Sequence, residues 1–511
     1  MKKLAFVLAG AALVAGGLYQ FAGLRVTLDG SGWLPRFVST TPDYDALDAD
    51  RARQRQSLAV PRSGDTAPPI PAPSVSSPAD GHIPATVTGA TTPPTRPAED
   101  AEASAVSAAP VVTPVSDRET ARSNSASRGR WTDFRGPARD GRYPGPVRTA
   151  WPSGGLPVLW KQPVGLGYAS FVAADGRAFT IEQRRGNEVV AAYDLDTGRE
   201  VWTNAWAGMF VEGMGGDGPR ATPTYHDGRI YALGALGELR CLDAATGAVI
   251  WRRNILADAS ATNLSWGMAS APLIVGDTII VLPGGSGGRS VAAYDRLTGA
   301  PAWTALDDRQ AYVSPMLATL AGRTQLVVVS ATRVVGLTPS DGALLWEYPW
   351  ATDMGINAAQ PLVISGSRLF VSAGYGQGAA VFEVTQTGGA FATRTIWRNT
   401  RMKNKFTSSV LHDGFIYGLD ESILTCLDAA TGEMKWKGGR YGYGQTLLAG
   451  DHLIVLTEEG ELALVAATPD RHVELARVPA IAGKTWNHPI VVDGRLLVRN
   501  LREMAAFDIR P

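Results

Sequence analysis

Six histidines and a scatter of carboxylates, amides and lysines are the residues of this 511-residue chain best suited to chemistry. His82, His226, His412, His452, His472 and His488 show none of the spacings that bring ligands onto one metal ion. Gly284-Gly-Ser-Gly-Gly288 lacks the Lys-Ser/Thr and the following helix of a phosphate loop. No Gly-x-Ser-x-Gly nucleophile elbow occurs. What remains is a set in unrepeated stretches: Glu212, Asp217 and Arg220, then Asn263 and Trp266, then Asp353 and Asn357. Lys403, Asn404 and Lys405 follow, then Tyr441-Gly-Tyr-Gly444, and last Lys484, Trp486, Asn487 and His488. Carboxylate and amide oxygens are the donors a hard cation such as Ca²⁺ takes, whereas the lysines and Arg220 suit an anionic ligand. Lys+Arg and Asp+Glu both number 48, so there is no electrostatic case for a nucleic-acid partner.

The elements that must position these residues are written in repeats. Cys426-Leu-Asp-Ala-Ala-Thr-Gly-Glu-Met-Lys-Trp436 is nearly duplicated as Cys241-Leu-Asp-Ala-Ala-Thr-Gly-Ala-Val-Ile-Trp251. Drifted copies run through Asp194, Gly198 and Trp202, through Asp295, Gly299 and Trp303, and through Gly342 and Trp346; the fifth set is Asp428, Gly432 and Trp436. A second signal is a Gly/Asp turn before a β-rich run, first at Asp175-Gly176 and last at Asp493-Gly494, at intervals of 52, 49, 46, 44, 47, 37 and 43 residues. Asp-Gly tolerates the positive φ of hairpin turns. Repeats of this size with four strands each predict an all-β, eight-bladed β-propeller of antiparallel blades. Val158-Leu-Trp-Lys161 reads as a fourth strand with no blade before it, and Met504-Ala-Ala-Phe-Asp508 as a third strand lacking its fourth. Joining them closes the ring and removes the open sheet edges. In each Asp-x-x-Thr-Gly the Asp and Thr can bond their own loop while Gly takes the positive φ, and the Trp offers a flat face to a neighbouring blade. Cys241 and Cys426 share one repeat position, which predicts two separate buried thiols.

The string Ala/Cys-x-Asp-x-x-Thr-Gly-x-x-x-Trp resembles the tryptophan-docking repeat of the PQQ-like propellers, over roughly residues 131–511. That family includes quinoprotein dehydrogenases, which bind pyrroloquinoline quinone with Ca²⁺, and non-catalytic envelope proteins of the BamB type. The resemblance implies the fold strongly and activity weakly, because its motif residues staple blades together. Glu212, Trp266, Asp353, Asn357 and Trp486 are the positions a quinone and its Ca²⁺ would use, with no Cys-Cys pair and no Cys-x-x-Cys-His haem site beside them. The leading expectation is a non-enzymatic scaffold without cofactor that holds another envelope protein. A PQQ- and Ca-dependent dehydrogenase of alcohols or sugars is the alternative.

Ahead of the repeats, Met1-Lys2-Lys3 precedes 21 uncharged residues from Leu4 to Leu24, enough to cross a bilayer in about 20 residues. Residues 1–24 are therefore expected to be a signal anchor in the bacterial inner membrane, with the propeller in the periplasm; the alternative is a signal peptide cleaved on secretion to the periplasm. Residues 25–60 form a juxtamembrane piece whose charged part, Asp43 to Arg55, suits a short helix. Residues 61–130, rich in Pro, Ala, Ser and Thr, are expected to be a disordered linker. Such a leash reaches roughly 45 Å. The ordered domain is placed at 131–511.

Overall fold

The structure, a computed structural model, describes residues 24–28, 33–37, 44–59 and 129–511. The segments expected to be an anchor and a linker lie outside them, apart from Leu24, Gly129 and Arg130. Among the described residues no helix is long and apolar enough to cross a membrane. Leu24–Leu28 and Trp33–Phe37 pair as an antiparallel hairpin, and a helix, α1, spans Tyr44–Ala59.

Eight antiparallel sheets of four core strands follow, arranged as an all-β propeller. In blade 1 these are Val172–Ala174, Arg177–Arg184, Asn187–Asp194 and Glu200–Ala207; blade 2 runs from Thr224–His226 to Val249–Asn254. Every Gly/Asp turn read from the sequence joins the first and second strands of a blade. At Asp175-Gly176 both φ angles are positive, 52° and 74°, as a primed hairpin turn demands. Blade 8 takes Ile490–Val492, Arg495–Arg499 and Glu503–Asp508 from the C-terminus and Val158–Pro163 from before blade 1, with Ala506 opposite Trp160. The ring is thus closed by both ends of the domain. Blade 7 also gains a parallel partner, Arg142–Tyr143, on its first strand.

Each third strand carries a register shift beside the residue opposite the repeat tryptophan position, as at Cys241/Leu242 facing Trp251. This β-bulge re-aims the outer strand, so its Trp leans onto the next blade. Asp243 Oδ1 accepts Thr246 N at 2.8 Å and Thr246 Oγ1 at 2.8 Å, holding the turn; Asp194, Asp295 and Asp428 repeat these bonds. Over that turn lies the tryptophan of the preceding blade: Trp160 covers Gly198, Trp202 covers Gly247, Trp251 covers Gly299, and Trp397 covers Gly432. Their indole N–H groups donate to the same turns, Trp160 to Leu195 O and Trp251 to Arg296 O, both at 3.0 Å. Trp436 donates likewise to Thr468 O at 2.7 Å. Trp346 departs from the pattern. Blade 5 carries a ten-residue third strand with no Thr-Gly turn, so Trp346 donates instead to Gln325 of its own blade and packs edge-on to Phe382. Cys241 and Cys426 are free and buried, and burial pushes both thiols up to about 12.

Candidate functional site

The end of the ring axis on the side of the Gly/Asp turns is stopped by residues 129–143. Trp131 pairs with Ala173 of blade 1, and Thr132 O accepts Tyr225 N of blade 2. Arg139 donates to Ala271 O at 3.2 Å and to Pro315 O at 2.9 Å, entering blades 3 and 4. Arg135 donates to Ser409 O of blade 6 at 2.7 Å. Both guanidiniums are buried, and burial lowers that of Arg135 to about 10. These arginines satisfy backbone carbonyls that the ring leaves at its centre, where no neighbouring strand can reach them.

Above this plug a belt of short polar side chains ties neighbouring blades together. Ser170 N donates to Thr222 Oγ1 at 2.9 Å, Ala271 N to Ser314 Oγ at 2.9 Å, and Gln360 N to Ser408 Oγ at 3.0 Å. His488, fully buried in the belt, has its pKa pulled down to about 3 by burial and by the Arg135 charge. Its imidazole is therefore neutral.

The belt and Phe134 form the floor of a funnel of about 490 Å³. Its wall is aromatic: Tyr168, Trp266, Tyr312, Tyr375, Phe406, Tyr443 and Trp486 all line it. Tyr168 stacks on Trp486 at 5.2 Å, and Phe406 lies 4.3 Å from the same indole. Three cations stand among these rings. Arg220 donates to Gly216 O and Gly218 O at 2.7 Å each and lies 4.8 Å from the Phe210 ring; burial lowers its pKa. Lys405 bonds Tyr443 Oη at 3.2 Å. Lys484 donates to Gly215 O at 2.7 Å and sits 3.5 Å from the Trp486 ring centre. Against them the lining holds one carboxylate, Glu458, which accepts Trp486 Nε1 at 2.8 Å and Tyr443 N at 3.0 Å. The funnel is thus an apolar, net-positive cavity, a setting for an anionic or acidic group beside an apolar one.

The positions read from the sequence divide. Arg220, Trp266, Lys405, Tyr443, Lys484, Trp486 and His488 meet in the funnel. Glu212 lies just behind it, its carboxylate accepting Met214 N at 2.8 Å and Gly215 N, with Arg220 at 3.8 Å. Asp217 accepts Glu212 N. Asp353 is exposed, and Asn357 is buried behind the wall, its amide donating to Ser330 O at 2.9 Å. Lys403 pairs with Asp420 and Glu421 instead. The side-chain N–H groups of Asn263, Asn404 and Asn487 donate to backbone carbonyls, while Asn487 Oδ1 is buried without a partner among the described residues, and Tyr441 bonds His472 and Glu474. The funnel itself is a poor setting for Ca²⁺: three cations occupy it, its one carboxylate already accepts two N–H groups, and Glu212, Asp353 and Asn357 are not among its lining residues. Among the described residues no three His, Cys, Asp or Glu side chains cluster closely enough to hold a metal ion.

Tyr168, Tyr312, Tyr375, Phe406, Glu458 and the rim methionines Met214 and Met354 were not singled out from the sequence. A positional signal exists for some: Tyr168, Arg220, Phe406, Tyr443 and Trp486 each stand seven residues before their blade's Gly/Asp turn.

A family profile described as "Outer membrane protein assembly factor BamB" matches residues 186–438. The BamB of Bordetella pertussis is 23% identical over 301 residues, covering 57% of this chain and 68% of the relative. That of Burkholderia pseudomallei is 23% identical over 371 residues, 67% and 88% of the two chains. Among solved structures, the quinohemoprotein alcohol dehydrogenase ADHIIG of Pseudomonas putida superposes with a TM-score of 0.56 at 14% identity, over 76% of this chain and 82% of that one. The corresponding enzyme of Comamonas testosteroni gives 0.54 at 14% identity, over 77% and 82%. At such identities these likenesses establish the fold.

Proposed function

Starting from a chain that belongs to the PQQ-like β-propeller family, we propose that it is a non-enzymatic scaffold of the bacterial cell envelope. Its funnel mouth holds a segment of another envelope protein. The observation that carries this reading is the rim. Met209, Val211 and Met214 project from loop 208–218, and Met354 stands across from them; all four are more than half exposed, Met214 by 72%. Flexible, polarizable methionines around a cavity make an adaptable contact surface, and exposed apolar side chains gathered at one place mark interaction sites. Behind this rim the net charge of the lining is positive, so the segment it suits carries an acidic group beside apolar side chains. The names of the relatives support an assembly role of this kind.

A photo-crosslinking residue placed at Met214 and, separately, at the exposed outer-strand residue Ile250 tests the reading in cells. Adducts to one envelope protein at Met214, lost when Lys405 and Lys484 are both changed to Glu, are expected. Adducts at Ile250 alone would move the partner to the blade edges.

A second reading, a quinone-dependent dehydrogenase, is favoured by one observation: aromatic walls and three cations also suit a planar polyanion. Titration of the purified chain with pyrroloquinoline quinone and Ca²⁺, followed by dye reduction with alcohols and aldoses, decides it. Stoichiometric binding with turnover displaces the scaffold reading.

A further inference from the structure

Helix α1 is polar on nearly all sides, a composition that gives an isolated helix little reason to persist. It is nevertheless seated on the propeller, at the seam where blade 8 meets blade 1. Leu47, Arg51 and Gln54, spaced as one helical face, make the contact. Arg51 is only 3% exposed. Its guanidinium donates to Glu200 Oε2 at 3.1 Å, Gln162 Oε1 at 3.2 Å and Pro163 O at 2.9 Å, and lies 5.2 Å from the Tyr193 ring centre. Gln54 donates to Gln162 Oε1 at 2.6 Å and accepts Glu200 N at 3.0 Å, filling a strand-edge N–H of blade 1. At the rim Arg185 bonds Asp45 at 3.1 Å and Asp48 at 2.7 Å.

The seat is built into the ring. Its floor is Glu182, fully buried, which accepts Tyr193 Oη at 2.6 Å and Arg184 at 2.5 Å, with Arg184 also on Glu200 at 2.7 Å. The strand that carries Glu182, Arg177–Arg184, is the longest second strand of the eight blades, and its extra length makes the pocket. The two strands under the helix, Val158–Pro163 and Glu200–Ala207, are the outer strands of the last and first blades.

We propose that this seam is a receptor site for an arginine-bearing helix, filled in cis by α1, and that its occupancy sets how far the propeller stands from residues 1–24. The chain leaves α1 at Ala59 and is held again at Arg130, paired with Asp175 at 2.8 Å on the same propeller. Residues 60–128 therefore begin and end on one body and do not add to the spacing while α1 is seated. Only residues 25–43 do so, and because Leu24 is paired opposite Phe37 in the hairpin, the reach is that of residues 38–43, six residues spanning at most about 20 Å. With α1 released, the reach is that of residues 38–128, 91 residues with a limit of about 310 Å. This device is independent of the partner at the funnel.

Hydrogen exchange on the full chain tests the seating, with the Glu200 amide as reporter because Gln54 is its acceptor. In Arg51→Ala, and in Leu47→Asp as a second variant that alters no propeller residue, α1 amides and Glu200 are expected to exchange about ten- to a hundredfold faster. The strands Arg229–Leu233 and Glu238–Asp243 keep their protection. Adding a synthetic 44–59 peptide at about millimolar concentration, the effective concentration of a short tether, restores Glu200 protection; the same peptide with Arg51→Ala does not. Energy transfer between dyes on Gln20→Cys and Ser153→Cys lengthens from one short-distance population to a broad long one in both variants. Rapid exchange of α1 in the unsubstituted chain, undiminished protection in both variants, or failure of the peptide overturns the receptor site. An unchanged distance distribution despite lost protection overturns the spacing role.

Discussion

A methyl group at Gly247 tests the clasp that joins the blades. Gly247 has φ +75°, and a Cβ there would stand 2.5 Å from Cε3 and 2.7 Å from Cδ2 of Trp202 in the preceding blade. Gly228 has nearly the same φ, +72°, yet nothing lies within 4 Å of its Cβ position. Placing an L-residue in the left-handed region costs about 1–2 kcal/mol at either position. The gain from a stiffer unfolded chain is the same for both and cancels between them. Only Gly247→Ala must also displace a packed indole, an overpacking term of about 1–3 kcal/mol, and with it the Trp202 N–H bond to Ala244 O at 3.0 Å. Urea unfolding of the full chain followed by tryptophan fluorescence should therefore show Gly247→Ala less stable than Gly228→Ala by about 1–3 kcal/mol, at unchanged slope. Equal midpoint shifts would mean that the Thr-Gly position serves the turn alone and that the tryptophan contact contributes nothing to ring stability.

Because burial pushes Cys241 and Cys426 up to about 12, a thiol reagent at pH 8 should label neither in the native chain and both in denaturant. His488 has a folded pKa lowered to about 3 from 6.5, so its stability contribution is complete above 6.5 and is lost as pH falls toward 3. His488→Asn should flatten the stability–pH curve between 6.5 and 4.5, measured by urea midpoints. The slope below 4.5, where Glu182 titrates toward about 2, should persist. Trp251 donates its indole N–H to Arg296 O, whereas that of Trp303 has no partner among the described residues. Trp251→Phe should therefore cost about 1 kcal/mol more than Trp303→Phe in the same unfolding assay.

The blade count, the ring closure and the bonding in each Asp-x-x-Thr-Gly turn were legible because they rest on local chemistry copied several times. Where copying fails, so does the reading: Trp346 carries the motif, but its destination depends on blade 5, which lacks the turn to receive it. The funnel was legible only as a list of loops. Side-chain type favoured Glu212, Asp353 and Asn357 as ligands, yet Glu212 turns its carboxylate to backbone N–H groups, Asn357 is buried behind the wall and Asp353 faces solvent, so none of the three lines the cavity. Glu458 and Tyr375 escaped for a different reason. They come from loops joining second to third strands within a blade, not from the connections between blades where candidates were sought. The reach of residues 131–139 across the ring, from Trp131 on blade 1 to Arg139 on blades 3 and 4, was not legible in the sequence.

That reach decides how the funnel can be used. A propeller axis open at both ends would let a chain thread through, or water exchange from either side. Here Arg135 and Arg139 donate to carbonyls of blades 3, 4 and 6 while Trp131 is paired in blade 1, so removing the plug would break all of these bonds together. Each bond from a charged donor contributes about 1.5–3 kcal/mol net, whereas the glycine-rich loop 208–218 at the other end can rearrange without breaking them. Whatever enters must come and leave past Met214 and Met354. A dead-end cavity of about 490 Å³ takes a few side chains, not a folded element. On the scaffold reading proposed above, a partner segment would arrive as a tip or an extended end, with the rest of its contact area on the exposed rim residues Met209, Val211, Met214 and Met354.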